Sequence, residues 1–330
     1  MKIAVLSDGA WGTALALTLI DNGHEVVLWG PFPDYLAQMR ERRENFRFLP
    51  GVTLSEQLRF EPEIGRAVEG AAVLLLATPT QYLRSVLDKL KPHYDPVKHL
   101  LLDVAKGIEV DTWLLIHEMV ESVLGPGRYV ALSGPSHAEE VSRRVPTAVV
   151  AASHSQDDAE QVQLLLLNDN FRVYTGSDVV GVELGGALKN VIAIAAGIID
   201  GMKLGDNPKA ALMTRGIAAM GRLGELLGGN AQTFSGLSGI GDLIVTCTSG
   251  HSRNRHVGEE LGRGKKLPEI LASMGMVVAE GVTTARGAYT LARRVGAETP
   301  IIDEIYAVLY QGRDVPSAIR NLMSRSAKPE

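Results

Sequence analysis

The sequence predicts an α/β fold, in which a mostly parallel sheet is followed by an all-helical C-terminal region. In the first half of the chain, short apolar runs alternate with segments of helical pattern, which is typical of parallel strands covered by helices on both faces. After Gly181 the strand pattern stops, and long runs rich in Ala, Leu, Ile and Met follow. Together with the length of 330 residues, these observations predict two domains, 1–180 and 181–330.

The strands are predicted from apolar runs whose ends are mostly punctuated by Gly, Pro or polar residues. They are Ile3–Leu6, Val26–Trp29, Val73–Ala77, Leu100–Val104, Val130–Leu132 and Ala148–Ala151, with a seventh at Phe171–Tyr174. The last residues, Ser324–Glu330, are expected to form a frayed tail.

Composition argues against several classes of function. The net charge is −5 without a basic block, so we expect no nucleic-acid partner. Cys247 is the only cysteine, which excludes an intrachain disulfide and a cysteine metal cluster, and a small core residue is favoured over a reactive thiol. We expect no bound metal.

The most apolar stretch, Val191–Ile199, is far shorter than the ~20 residues that span a bilayer. Because the chain starts directly on a strand, we expect no signal peptide, no membrane insertion and a cytoplasmic location.

The loop after the first strand carries an incomplete form of the dinucleotide fingerprint G-x-G-x-x-G. Gly9 and Gly12 hold the second and third positions, whereas Ser7 replaces the first glycine. Gly9 would allow the backbone to approach a pyrophosphate at the helix N-terminus, and Gly12 would allow close helix–strand packing. In the context of a parallel sheet, this loop predicts a Rossmann-like dinucleotide-binding domain. A tight turn without a ligand is the alternative.

The end of the second strand leaves the choice of cofactor open between NAD and NADP. An acid there favours NAD, but the strand is followed by Gly30 and Pro31. Asp34 is displaced and is expected to be a helix N-cap. Three downstream arginines are expected on a solvated helix face: Arg40, Arg42 and Arg43. The alternative is that Asp34 or one of these arginines folds back onto the ribose, which would give strict use of NADH or of NADPH, respectively. With neither a penalty nor a reward for the 2′-phosphate, we predict use of both cofactors with less than about a hundredfold preference.

Polar residues also follow the fourth and fifth predicted strands, where open α/β sheets bind ligands. Lys106 is suited to holding a phosphate or polarising a carbonyl, unless it is a solvated loop lysine. Gly134 allows close approach and Ser136 offers a hydroxyl, although the same residues suit a turn and helix cap. His137, beside this expected cap, is expected to be structural rather than a proton carrier.

Lys189 gives the strongest single indication of catalysis. Together with Asn190 it interrupts a helix whose other residues are small or apolar nearly all round. Burial of an unpaired ammonium would lower the lysine pKa towards neutrality, which suits a general acid/base. Asp242 and Thr246 are four residues apart and share one helix face, so the carboxylate could pair with Lys189. The alternatives are that Lys189 reaches the surface and that Asp242 is an N-cap.

A further group, Ser252-Arg253-Asn254, offers ligands for a phosphate. The guanidinium of Arg253 has a planar fork that matches phosphate oxygens, although a surface ion pair is the alternative use.

Seven motifs occur in an order that resembles the soluble, bacterial type of NAD(P)-dependent glycerol-3-phosphate dehydrogenase, from about residue 2 to residue 320. They are Ala10-Trp11-Gly12-Thr13-Ala14-Leu15-Ala16, Lys106-Gly107-Ile108-Glu109, Ser133-Gly134-Pro135-Ser136-His137-Ala138-Glu139-Glu140, Leu188-Lys189-Asn190, Gly239-Ile240-Gly241-Asp242-Leu243, Ser252-Arg253-Asn254 and Glu280-Gly281.

The resemblance implies reversible reduction of dihydroxyacetone phosphate to sn-glycerol 3-phosphate, a precursor for phospholipid synthesis. It implies that Lys189 transfers the proton while Asp242 keeps it oriented. The implied substrate contacts are Lys106, Gly134, Ser136, Lys189, Asp242, Ser252, Arg253 and Asn254. The implied cofactor positions are Gly9, Ala10, Trp11, Gly12, Pro31, Lys106, Ala138, Arg253, Val278 and Glu280. We also expect a homodimer.

Two departures from the family pattern, Ser7 and Pro31, concern cofactor preference and affinity rather than the reaction class. Two other functions stay open at this point. A hydroxy-acid dehydrogenase of similar build would share the fingerprint, but it would not need the Gly-Asp-Leu and Ser-Arg-Asn motifs. A nucleotide-sensing regulator would have no need for Lys189 beside Asp242.

Overall fold

The computed structural model describes residues 1–327, and the chain forms two compact units. The first consists of Met1–Lys106 and Leu114–Glu183. The second consists of Gly107–Trp113 and of the chain from Leu184 onward. The end of the predicted tail, residues 328–330, lies outside the described residues.

The strands of the first unit are β1 (Lys2–Leu6), β2 (Glu25–Trp29), β3 (Glu44–Asn45), β4 (Leu49–Thr53), β5 (Arg59–Glu61), β6 (Val73–Leu76), β7 (Leu100–Asp103), β8 (Arg128–Ser133), β9 (Thr147–Ala152) and β10 (Phe171–Gly176). Within residues 1–327, eight of these strands form the central sheet of the unit, in the order β10-β9-β8-β7-β6-β1-β2-β5. Neighbouring strands of the large sheet run parallel except β8 and β9. All seven predicted strands are present, and the predicted fold class is confirmed.

The helices of the first unit are α1 (Ala10–Asp21), α2 (Pro33–Arg42), α3 (Ile64–Val68), α4 (Thr80–Leu90), α5 (Ile116–Leu124), α6 (Ala138–Val141) and α7 (Gln156–Leu166). The later helices are α8 (Val179–Gly201), α9 (Asp206–Leu226), α10 (Ala231–Phe234), α11 (Asp242–Thr248), α12 (Arg253–Gly262), α13 (Leu267–Met274), α14 (Glu280–Arg294), α15 (Pro300–Tyr310) and α16 (Val315–Met323). From Leu184 to residue 327 the regular elements are all helical, as predicted.

The apolar strands are explained by burial on both faces of the sheet. In β1, Ile3 and Val5 join the core on one face, whereas Ala4 and Leu6 join the core on the other. All four side chains are fully buried. A strand that is buried on both faces of the sheet needs apolar residues at every position rather than at alternate ones. This is why the strands could be predicted from apolar runs in the sequence.

Three details differ from the sequence predictions. The sheet gains β5, and β3 pairs with β4 in a separate two-stranded sheet. Asp34 is not the N-cap of α2: Phe32 occupies that position, because Pro33 begins the helix and leaves Asp34 in its first turn.

The most apolar segment is also longer than predicted. In the described chain one helix, Val179–Gly201, is long and apolar enough to cross a membrane, but 94% of the relevant window is buried inside the protein. A buried core helix satisfies the same criterion.

Small residues allow α8 and α12 to approach closely. A Cβ at Gly197 would overlap the carbonyl oxygen of Arg255, and one at Gly258 would overlap that of Ile194. The two backbones are therefore in direct contact, which fixes residues on α8 relative to residues on α12.

Candidate active site

The β1–α1 loop has the features that a dinucleotide requires. Helix α1 begins after Gly9, its N-cap, and no side chain caps its first turn. The orphan amides of such a turn favour an anion. A Cβ at Gly12 would lie 3.1 Å from both Ala77 Cβ and Val5 Cγ1, so this glycine permits the close packing of α1 on the sheet. These features fit a dinucleotide, whose pyrophosphate would be held by the amides at the start of α1.

Ser7 occupies the position of the missing first glycine and takes part in a hydrogen bond within the loop. Its buried hydroxyl accepts a hydrogen bond of 3.0 Å from the amide of Gly9. The serine that replaces the first glycine of the fingerprint therefore adds a hydrogen bond within the loop.

Asn45, a residue that the sequence analysis did not select, holds the same loop from β3. Its fully buried side-chain amide donates to the carbonyl oxygen of Asp8 and to Thr13 Oγ1, both at 2.8 Å. Its carbonyl oxygen accepts from the hydroxyl of Tyr35 at 2.6 Å and from the amide of Phe48 at 3.2 Å. The shape of the loop thus depends on a residue beyond the fingerprint.

The residues considered for the adenosine end lie in different environments. Pro31 and Asp34 are exposed. Arg42 lies over the ring of Phe46, 4.2 Å from its centroid. Arg40 is exposed on α2, as expected. Arg43 is instead half-buried and donates to the carbonyl oxygens of Ser55 and Leu58.

Three of the predicted substrate residues lie together at the carboxyl ends of β7 and β8. Lys106 Nζ donates to the carbonyl oxygen of Gly134 at 3.1 Å, and Ser136 Oγ donates to the same oxygen at 3.0 Å. Gly134 has φ of 141°, and a Cβ there would lie 3.0 Å from the Cα of Val149. Glycine is therefore required at this turn. His137 is the N-cap residue of α6 and Ala138 begins that helix.

A largely buried polar network that the sequence analysis missed includes Asp103, three residues before Lys106. The Tyr129 hydroxyl contacts Glu183 Oε1 at 2.6 Å and Asp103 Oδ2 at 3.0 Å. Asp103 Oδ1 in turn accepts from the amide of Ala105. Burial, followed by the two carboxylates, raises the pKa of Tyr129 well above its ordinary value. The network anchors the start of the Lys106 loop, and its only sequence signal is an acid at the end of an apolar strand.

In the second unit, Lys189 forms a buried ion pair with Asp242. The distance from Lys189 Nζ to Asp242 Oδ1 is 2.8 Å, and the side chains are 8% and 2% exposed. Lys189 Nζ also donates to Thr246 Oγ1 at 2.8 Å, and that hydroxyl donates to the Asp242 carbonyl oxygen. Lys189 therefore does not reach out to solvent. The adjacent carboxylate favours the charged ammonium and fixes its direction.

The glycines before Asp242 explain how the carboxylate reaches this position. Leu237–Gly241 forms a π-helical turn that leads directly into α11. A Cβ at Gly239 would overlap the Phe234 backbone, and one at Gly185 on α8 would lie 2.5 Å from the carbonyl oxygen of Ser238. Both glycines are needed for this packing. Asp242 thus begins α11 and is not its N-cap, because the preceding turn already continues the helix.

A second buried chain of hydrogen bonds lies beside the ion pair. Asn254 Nδ2 donates to Asn190 Oδ1 at 2.9 Å, and Asn254 Oδ1 accepts from the amide of Gly281 at 2.9 Å. This chain ties α8 to α12 and to the first turn of α14, where Glu280 is the first residue and Val278 lies just before the helix.

Arg253 differs from its neighbours in being exposed. Ser252 is the N-cap of α12, and its hydroxyl accepts from the amide of Arg255. Within residues 1–327, the side chain of Arg253 has neither a hydrogen bond nor an ion pair, so the surface ion pair considered from the sequence is absent there. Its guanidinium is available to an anion at the start of α12.

Two further observations concern the lone cysteine and possible metal ligands. Cys247 is buried, and burial raises the pKa of its thiol to about 12, which agrees with a core role. In the described part of the chain, no cluster of His, Cys, Asp and Glu side chains is placed to hold a metal ion.

A doubly wound sheet with a glycine-containing β1–α1 loop, and a helical unit with a buried lysine–carboxylate pair, define a dinucleotide-dependent dehydrogenase. Sequence models of the NAD-dependent glycerol-3-phosphate dehydrogenase family match the chain, the N-terminal model over residues 2–159 and the C-terminal model over residues 178–320. The chain belongs to this family, and it is an oxidoreductase that uses NAD or NADP.

Similar proteins agree over nearly the whole chain. A glycerol-3-phosphate dehydrogenase [NAD(P)+] of Bacillus velezensis is 50% identical over 328 residues, covering 98% of this chain and 94% of the relative. The Bacillus subtilis protein of the same name is 49% identical, covering 100% and 96%. The crystal structure of glycerol-3-phosphate dehydrogenase from Coxiella burnetii superposes with a TM-score of 0.94 at 37% identity, covering 98% of this chain and 99% of that one.

Proposed function

We propose that this protein interconverts dihydroxyacetone phosphate and sn-glycerol 3-phosphate and supplies glycerol phosphate for phospholipid synthesis. Residues 1–180 serve as the dinucleotide-binding domain, and the chain from residue 181 serves as the helical substrate domain. The protein acts in the cytoplasm as a homodimer. Family membership and the identity of the relatives support the reaction.

The observation that carries the proposal is the buried Lys189, held by Asp242 and Thr246. When bound, the reduced nicotinamide supplies the hydride for the C2 carbonyl of the substrate. Negative charge then develops on the carbonyl oxygen, and Lys189 donates a proton to it. Asp242 acts by holding Lys189 charged and oriented. In the reverse direction Lys189 accepts the proton.

The phosphate of the substrate is assigned to the start of α12. Arg253 supplies an exposed guanidinium without an ion pair among residues 1–327, and the first turn of a ten-residue helix supplies amides. Ser252 and Asn254 complete this group. Asn254 is held by Asn190 and Gly281, so its position is fixed before the substrate arrives.

The remaining assignments lie at the strand ends of the first unit and near α14. Lys106, Gly134 and Ser136 are assigned to the substrate, and Lys106 also borders the cofactor. The cofactor contacts are assigned to Gly9, Ala10, Trp11, Gly12, Pro31, Ala138, Arg253, Val278 and Glu280. The uncapped first turn of α1 supports the cofactor contacts at its start, and the shared hydrogen bonds to Gly134 support the grouping of Lys106 with Ser136. The other positions are assigned from membership of the family.

Oxidation of the reduced cofactor, followed by its absorbance, tests the proposal. We expect rapid oxidation with dihydroxyacetone phosphate and slow oxidation with unphosphorylated dihydroxyacetone or with a panel of 2-oxo acids. Faster turnover of a 2-oxo acid would indicate a hydroxy-acid dehydrogenase instead. Dinucleotide binding without any turnover would indicate a regulator.

A further inference from the structure

Asp8, in the β1–α1 loop, lies where the side chain of a residue at the end of β2 would lie. Because Leu6 pairs with Trp29 in parallel register, the residues that follow the two strands are neighbours. A Cβ at Gly30 would lie 2.7 Å from Asp8 Oδ2 and 2.9 Å from Asp8 Cγ. The carboxylate therefore occupies the space that the missing side chain of Gly30 leaves.

The environment of this carboxylate is unusual for an acid. Asp8 is 8% exposed, and its Oδ2 is buried without a hydrogen-bond partner. Burial raises the pKa of Asp8, although its own backbone amide and the charge of Arg47 lower it in part. Leaving a buried acceptor unpaired costs free energy, so such an atom indicates a missing donor.

A bound dinucleotide would supply that donor. In doubly wound folds, an acid at the end of the second strand accepts a hydrogen bond from the adenosine ribose of NAD and repels the 2′-phosphate of NADP. The geometry points to Asp8 as the residue that selects NAD over NADP, taking from the first loop the role that Gly30 cannot fill. This assignment rests on the proposed function, because it requires the dinucleotide to bind along α1.

The surroundings set the expected size of the selection. Arg47 lies near enough to Asp8 for its charge to act on the carboxyl group, and its guanidinium is 4.5 Å from the ring centroid of Tyr35. A cation close to the site moderates the repulsion of a 2′-phosphate. A charge-assisted hydrogen bond then corresponds to a preference for NAD of about tenfold to a hundredfold.

Calorimetric titration without substrate tests the assignment by binding alone. The titrants are NAD⁺ and NADP⁺, followed by adenosine 5′-monophosphate and adenosine 2′,5′-bisphosphate, which differ only in the 2′-phosphate. In Asp8→Asn, which keeps the side-chain shape and removes the charge, we expect the ratio of the two dinucleotide Kd values to move towards NADP⁺ by at least about tenfold. The bisphosphate should gain affinity, and the monophosphate should lose affinity, because the charge-assisted hydrogen bond to its ribose becomes a weaker neutral one.

Asp34→Asn provides the matched control, because Asp34 is the first carboxylate in the chain after β2 but is exposed in the first turn of α2. Its ratio should equal that of the wild type. An unchanged ratio in Asp8→Asn, or an equal shift in Asp34→Asn, would overturn the assignment. If the wild type bound neither dinucleotide, the proposed function itself would fail, and the wild-type titration alone would show it.

Discussion

Lys189 is expected to have a chemical role, as the proton donor, and a structural role, as the partner of the buried Asp242. Asp242 is 2% exposed at its side chain, so Lys189→Met leaves a buried carboxylate without its counter-charge. Breaking a buried pair in this way typically costs about 3–5 kcal/mol of stability. Loss of a general acid lowers kcat by about 10²–10⁴-fold. We therefore expect the single variant to be both unstable and inactive, which alone would not distinguish the two roles.

The double variant Lys189→Met/Asp242→Asn resolves this ambiguity. It removes both charges, so that no uncompensated charge stays buried. Urea unfolding should show that the double variant recovers most of the lost stability, while kcat for dihydroxyacetone phosphate stays low. A double variant that is stable and keeps more than about a tenth of the wild-type kcat would refute the role of Lys189 as proton donor.

Lys209→Met is the matched control. Lys209 forms an ion pair with Asp200 in the same unit, but Arg255 Nε also contacts Asp200 Oδ2 at 2.6 Å. The carboxylate keeps a partner when Lys209 is removed. We expect kcat to be unchanged, because nothing assigns this lysine to proton transfer.

Three further outcomes are expected. Arg253→Ala should raise KM for dihydroxyacetone phosphate by about tenfold to a hundredfold, because a charge-assisted contact contributes about 1.5–3 kcal/mol. In the same steady-state assay, KM for unphosphorylated dihydroxyacetone should barely change. Equal losses for both ketones would contradict the phosphate role of Arg253. Gly258→Ala should lower the unfolding free energy by about 1–3 kcal/mol in urea, because its Cβ would overlap the Ile194 backbone, whereas Gly250→Ala has no atom within 4 Å and should not. Burial lowers the pKa of His117, but the hydrogen bond and charge of Glu183 raise it overall. A group whose pKa is raised by folding stabilises the protein fully below its unfolded pKa, and this stabilisation is lost as pH rises through its folded pKa. His117→Gln should therefore flatten the pH dependence of the unfolding free energy above pH about 6.5. An unchanged pH profile would argue against the His117–Glu183 pair.

Much of the fold was predictable because strands that are buried on both faces consist of unbroken runs of apolar residues. The exceptions have physical causes. β5 is a three-residue edge strand, Arg59–Glu61, with too little apolar surface to be distinctive. The antiparallel pairing of β8 with β9 was not predictable, because a doubly buried strand has the same pattern in either direction. The N-cap of α2 was misplaced because Pro33 was not considered as the first helical residue.

The site was predictable where a polar residue stands in apolar surroundings, as Lys189 does. Tyr129 and Glu183 were missed because their partners are distant in sequence and only the fold brings them together. The proposed role of Asp8 was missed for a different reason. The fingerprint specifies only its glycines and allows any residue between them. Asp8 lies at one of these unspecified positions, and only the structure shows that its carboxylate fills the space beside Gly30.

The four contacts of Asn45 also bear on how such loops are detected in sequences. One side chain uses both its donor and its acceptor groups at once, on partners in the first loop, in α1, in α2 and in the segment after β3. Aspartate has no amide to donate, and glutamine is one methylene too long for the same geometry. A search pattern that pairs the degenerate glycine motif with an asparagine some thirty-six positions after Gly9 would therefore recover chains that the glycines alone would miss.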